Sequence, residues 1–227
     1  MSEAGLVASL HQLAQVQAHP SMAAAVLIGV VGFAAALIPG IWHVLRHVNT
    51  MAHEGAHATV HSAMGRPITH VKFGFDGTGE TGSTGPDNMN RFPGMFIGYL
   101  GPSAFGVGAA ALIRSGHIVA VLWIGVAALV MLLFLAYKSL GVILVIAALA
   151  LLLWLLDDAS VPAQVLTAYG ITWFLLVSGV RVIAEDGKGA GDAGNLHKLT
   201  KIAPSFWPIP WLLGSLAALV FGATLLL

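Results

Sequence analysis

The chain is 227 residues long, 57% apolar, with ten basic residues, ten acidic residues, ten histidines and no cysteine. Only 9% of its residues are charged, against about 25% in ordinary soluble domains, and the mean hydropathy is +0.86. These figures exclude a soluble globular fold, a basic nucleic-acid binder, and any disulfide, thiolate or Cys-ligated metal site.

Residues 1–20 lack the basic start and pure apolar run of a secretory signal and read as an amphipathic or flexible segment. A transmembrane helix takes about 20 mostly apolar residues, and 22–38 supply the first such stretch. Pro39-Gly40 signals a turn. A second helical stretch, 41–64, is far more polar. Residues 66–88 place Ile68, Val71, Phe73 and Phe75 before Asp76-Gly77, the pattern of a β-hairpin with an Asp-Gly turn. Residues 92–113, 117–137, 139–156 and 162–184 read as further spans, the last opened by Pro162 at a first-turn position. Residues 185–204 are Gly-rich and then amphipathic, a loop and a short helix. A final span covers 205–227, with Trp207 and Trp211 where interfacial anchors are expected.

The expected fold is an all-α polytopic membrane protein of about seven spans (six to seven), with a small β-hairpin between the second and third. Residues 21–227 form one membrane-embedded domain, and the bilayer is its first partner. With seven spans, one face collects Arg66, Lys72, Arg91, Lys138, Arg181, Lys188, Lys198 and Lys201, leaving Arg46 and Arg114 on the other. Basic residues concentrate on cytoplasmic loops. The hairpin, the Gly-rich loop and the N-terminus are therefore expected in the cytoplasm, provided 41–64 crosses the bilayer.

Five of the ten histidines, His43, His47, His53, His57 and His61, fall in the polar stretch. On a helix they lie within roughly 120° of circumference, with Thr50 and Glu54 in the same sector. Within this stripe, His53-Glu54-Gly55-Ala56-His57 is an HExxH pattern. Its histidines at i and i+4 share a helix face and can bind one Zn²⁺ at about 2.0–2.1 Å, with the Glu beside the first His in reach of a metal-activated water. A carboxylate at membrane depth needs a compensating cation, which weighs against a merely hydrogen-bonded polar helix. Ala63 stands where the metzincin pattern has its third histidine. His61, one turn beyond His57, fits a supporting or cavity role better than a third ligand in one straight helix.

A catalytic zinc usually has three protein ligands and a water. With no other well-placed His or Cys, a carboxylate is expected. Asp157 and Asp158 fall on the opposite face, Asp76 in the hairpin turn, and Glu80 and Asp87 in solvated loop. Glu185, Asp186 and Asp192 remain, with a helix N-cap as the competing role for Asp192.

HExxH early in a polytopic chain, a Gly-rich hairpin, and then Gly98-Tyr99-Leu100-Gly101-Pro102 resemble the site-2 protease class of intramembrane zinc metalloproteases. The chain is similar to the small bacterial M50B-like branch without a PDZ domain. Gly191-Asp192-Ala193, followed by the Leu-rich stretch from Leu196 to Ile202, is similar to that branch's C-terminal Gly-Ser-Asp-Ala-like motif, with Gly here in place of Ser. The resemblance covers roughly 41–210. It implies Zn²⁺ held by His53, His57 and Asp192, Glu54 as general base, a transmembrane protein substrate and a bacterial plasma membrane location. His61, Gly98, Gly101, Pro102 and Asn195 are candidate supporting or substrate-contacting residues, with close helix packing the favoured role for the Gly98–Pro102 segment. A substrate helix would enter laterally, unwind in part and pair with the hairpin by strand addition. Competing readings are a metal-binding or metal-transporting membrane protein, a bis-His haem protein and a proteolytically inactive homologue. The sequence contains nothing that identifies the oligomeric state.

Overall fold

The computed structural model describes residues 7, 10–86, 88–136, 141–186 and 191–227. Asp87, Lys138, Lys188 and most of the first nine residues lie outside them. In chain order the elements are α1 (Met22–Leu37), α2 (Pro39–Ala63), β1 (Ile68–Phe73), β2 (Gly79–Ser83), α3 (Phe92–Phe96), α4 (Gly101–Arg114), α5 (Ile118–Leu135), α6 (Gly141–Asp158), α7 (Val161–Asp186), α8 (Asp192–Thr200) and α9 (Pro208–Leu226). Short 3₁₀ turns precede α3, α4 and α9. This is the helical membrane fold with a two-stranded hairpin that the hydropathy predicts.

Five helical stretches are long and apolar enough to cross a membrane, and α1 with α2 passes that test as one pair, bent by 102°. The bend has a local cause. A residue before proline is driven out of the helical region, and Ile38 is extended, at φ −76° and ψ 114°, ahead of Pro39 in the first turn of α2. Trp42, near the start of α2, donates from Nε1 to Glu185 at the end of α7 (2.6 Å). Beyond its other end, Arg66 donates to the Pro86 carbonyl (2.9 Å). Both ends of α2 thus meet the face that carries the hairpin. Among the described residues the candidate spans are the broken α3–α4 stretch, α5, α6, α7 and α9, and the bent α1–α2 pair adds a sixth if it counts as one.

This corrects the expected side of the N-terminal segment. Gln17 accepts from Val119 N (3.0 Å) and donates its backbone N–H to Gly116 (2.9 Å), in the turn between α4 and α5. That turn lies at the end of the bundle away from the hairpin. Arg46, packed under Gly77 of the hairpin turn, moves to the hairpin face.

The hairpin follows from its sequence. Gly77 takes φ +80°, a conformation open to glycine without steric cost, and Asp76 accepts from Thr78 N (3.2 Å) and Thr78 Oγ1 (2.7 Å). The strands are antiparallel, with Val71 opposite Thr81 and Phe73 opposite Gly79. Val71 and Phe73 are buried with Met51 of α2, Leu132, Ala136 and Val145, which anchors the sheet to α2 and to the ends of α5 and α6.

Two other apolar clusters hold the bundle. Ala25, Ile113, Ile118, Leu122, Leu156, Leu176 and Leu226 lie in the one further from the hairpin. Ala36, Trp42, Tyr99, Phe174, Trp207 and Trp211 lie in the other, behind the polar stripe. Trp207 and Trp211 are 4% and 0% exposed. They are core residues rather than interfacial anchors, and Trp211 Nε1 donates to the Phe96 carbonyl (2.9 Å).

Candidate metal centre

The polar stripe of α2 separates into distinct environments. His43 is exposed. His47 Nε2 sits 3.1 Å from the Phe75 carbonyl in the hairpin turn. His53 and His57, one turn apart, face a cleft of about 430 Å³ bounded by α2, the hairpin, Met95, Tyr99 and the start of α8.

Asp192 reaches into the same cleft. It is the first residue of α8; Gly191 holds the N-cap position, with no side-chain cap bond. The Asp192 carboxylate turns instead to α2, with Oδ2 3.1 Å from His53 Nε2 and 3.0 Å from His57 Nε2. The two Nε2 atoms are 3.0 Å apart. Glu185 is engaged by Trp42, and the side chain of Asp186 lies outside the described residues. Among the described carboxylates left open by the sequence, Asp192 meets both histidines.

The donor chemistry fits a metal. The three atoms form a triangle with edges close to the roughly 3.3 Å edge of a tetrahedron with zinc bonds of about 2.0–2.1 Å. The Gly94 carbonyl accepts from His57 Nδ1 (2.5 Å), so a neutral His57 turns an Nε2 lone pair towards the carboxylate oxygen and the second imidazole. Acceptors converging in this way need a cation between them.

Glu54 is 3% exposed and lines the same cleft, on the side where α2 meets β2. Its Oε2 accepts from Thr81 Oγ1 of β2 (2.6 Å). A Cβ on Gly79 would overlap its carboxylate. His61 is buried and stacks on His57, ring centroids 6.4 Å apart, outside the three-donor group. Asn195 lines the cleft one turn beyond Asp192.

The Gly98–Leu100 stretch is a 3₁₀ turn that interrupts the helix. Gly101 packs against Ala56 of α2, the close helix approach expected for this segment, and Pro102 is buried beside it. Gly98 does something else. A Cβ there would lie 2.6 Å from His53 Nε2 and overlap His57 Nε2, so the backbone forms the floor under the donors. Tyr99 packs edge-on to His53, with centroids 4.8 Å apart.

The Peptidase M50B-like family model matches residues 24–222, nearly the whole chain. The chain belongs to the Peptidase M50B-like family. No curated protein and no solved structure matches it significantly. A peptidase family and several long apolar helices together mark the chain as a membrane protein. In this M50B-like chain the helix carrying the motif lies across the bundle, and its cleft opens beside the hairpin.

Sequence reasoning missed three contacts, Gly94 to His57, Thr81 to Glu54 and Gly98 beneath the donors. Only Gly98 left a signal, in the local density of glycine and proline around it.

Proposed function

We propose that this protein is a zinc-dependent intramembrane endopeptidase that cuts membrane-protein substrates within or next to their transmembrane segments. The observation carrying this reading is the meeting of His53, His57 and Asp192 donors in one cleft with the Glu54 carboxylate, in a chain of a membrane peptidase family. His53, His57 and Asp192 hold the metal. When bound, zinc supplies Lewis-acid polarisation of the scissile carbonyl and an acidified water. Glu54 takes the proton of the attacking water at its carboxylate and delivers it to the departing amine. Gly77, Thr78, Gly79, Glu80 and Thr81 line the cleft, and an unwound substrate stretch lies along this strand, paired through its backbone.

Seven of the eight described basic residues sit on the hairpin face, with Arg114 alone at the other end. The charge bias supports a cytoplasmic opening for the cleft, and the N-terminal segment then lies outside. A metal transporter would need a relay of donor sites, whereas the described residues hold one such group.

The test uses the purified full chain in proteoliposomes and a quenched-fluorescent single-span peptide, Leu/Ala-rich with a Gly-Asn pair near one end. Cleavage is expected, with its loss on 1,10-phenanthroline treatment and its return on adding Zn²⁺. Cleavage indifferent to the chelator, or none from zinc-loaded protein, overturns the proposal. Gly98→Ala tests the fit around the metal. Its methyl group displaces both imidazoles, and zinc affinity, read by competition with a chelator, is expected to drop about 10–100-fold, as when a ligand loses its support. Wild-type affinity in that variant contradicts the close approach.

A further inference from the structure

We propose that Thr81 of β2 is a positioning residue for Glu54, so that the hairpin sets the aim of the base as well as bordering the cleft. The inference rests on Glu54 being the base of the proposed peptidase.

Residues i and i+2 of a strand share a face, and Gly79 and Thr81 both face α2. Thr81 Oγ1 lies 2.6 Å from Glu54 Oε2 and 3.3 Å from the Glu54 backbone carbonyl. The shorter contact is a hydroxyl donating to a carboxylate, among the stronger hydrogen bonds in proteins. Two positions earlier the strand offers empty space, since a Cβ on Gly79 would sit within 2.6 Å of Glu54 Cγ and overlap Oε1. One residue supplies a donor and the other supplies room, and together they admit a narrow set of Glu54 rotamers.

The strand is itself fixed. Across from Thr81 and Gly79 stand Val71 and Phe73, 0% and 5% exposed and packed on Met51, less than one turn before Glu54. The apolar half of the sheet face docks on α2 and the polar half grips the carboxylate. A free Glu side chain has considerable rotamer freedom to lose on ordering, and this contact removes that freedom before substrate arrives. The effect belongs to the chemical step, and so to kcat rather than KM.

The experiment compares Thr81→Val, Thr81→Ser and Glu54→Gln with wild type in proteoliposomes, using the same single-span peptide. Thr81→Val is expected to lower kcat about tenfold or more, the scale of one hydrogen bond to a charged group, with KM and zinc content unchanged. Thr81→Ser, which keeps the hydroxyl, is expected to restore most of the rate. A second readout needs no turnover. The infrared carboxylate stretch of Glu54, assigned by subtracting the Glu54→Gln spectrum, is expected to shift in Thr81→Val and return in Thr81→Ser. An unshifted band, an unchanged kcat, or a Ser variant as impaired as the Val variant overturns the positioning role. A peptide left uncut by wild type, or still cut by Glu54→Gln, strikes the peptidase reading instead, and the infrared band then decides the contact by itself.

Discussion

In Glu54→Gln protein, peptide cleavage is expected to fall by about 10²–10⁴-fold, the range set by losing a general base, while one zinc per chain stays bound. The substitution keeps the shape of the side chain. The Gln amide oxygen can still accept from Thr81, which lies 2.6 Å from Oε2 in the native chain. It cannot take a proton. The donors on His53, His57 and Asp192 are left as they are, because Glu54 stands outside that triangle. Zinc content by mass spectrometry and cleavage of the single-span peptide are measured on the same preparation. Undiminished cleavage removes Glu54 from the chemistry, and a fall in zinc content would make it a ligand.

Asp192→Ala is expected to have the opposite signature, with metal binding lost first. Its Oδ2 touches both imidazoles at 3.0 and 3.1 Å and brings the one negative charge of the triangle. Zinc affinity should fall more than about 100-fold, beyond the 10–100-fold typical of losing a supporting partner. Asp192→Asn, which keeps an oxygen but not the charge, should fall between. Glu185→Ala serves as the control. Glu185 is held by Trp42 Nε1 at 2.6 Å, so that variant should keep its zinc. Full zinc retention in Asp192→Ala would sink the assigned ligand set.

The parts of this site that could be read from the chain are those in which spacing is itself geometry. His57 is four positions after His53 on a helix, and that places them together wherever the helix lies. Asp76-Gly77 between alternating apolar residues specifies a hairpin. Asp192 was one of three open carboxylates on spacing, and resemblance to a family singled it out. The path of α2 was misread because length and helical periodicity do not report direction. Pro39-Gly40 was legible as a turn, but the 102° bend became visible only in three dimensions. The polarity of 41–64 was the hint, since a stretch with five histidines is poorly suited to lipid contact. Trp207 and Trp211 had the right place for anchors, yet a tryptophan's burial depends on the neighbours that surround it, here Phe96 and Tyr99. Contacts such as Gly94 to His57 involve a backbone carbonyl, which has no letter in a sequence.

Asp192 follows His57 by 135 residues, and that interval is also time. At a synthesis rate of about 5–20 residues per second, the histidine pair and Glu54 exist for roughly 7–27 seconds before their carboxylate partner is made. During that period the nascent chain carries an incomplete centre, without the oxygen donor that closes the triangle. The α5, α6 and α7 segments must all be made before α8 can bring Asp192 back to α2. Assembly of the bundle therefore acts as a built-in delay, and the cleft acquires its full donor set only after the membrane domain around it is nearly complete.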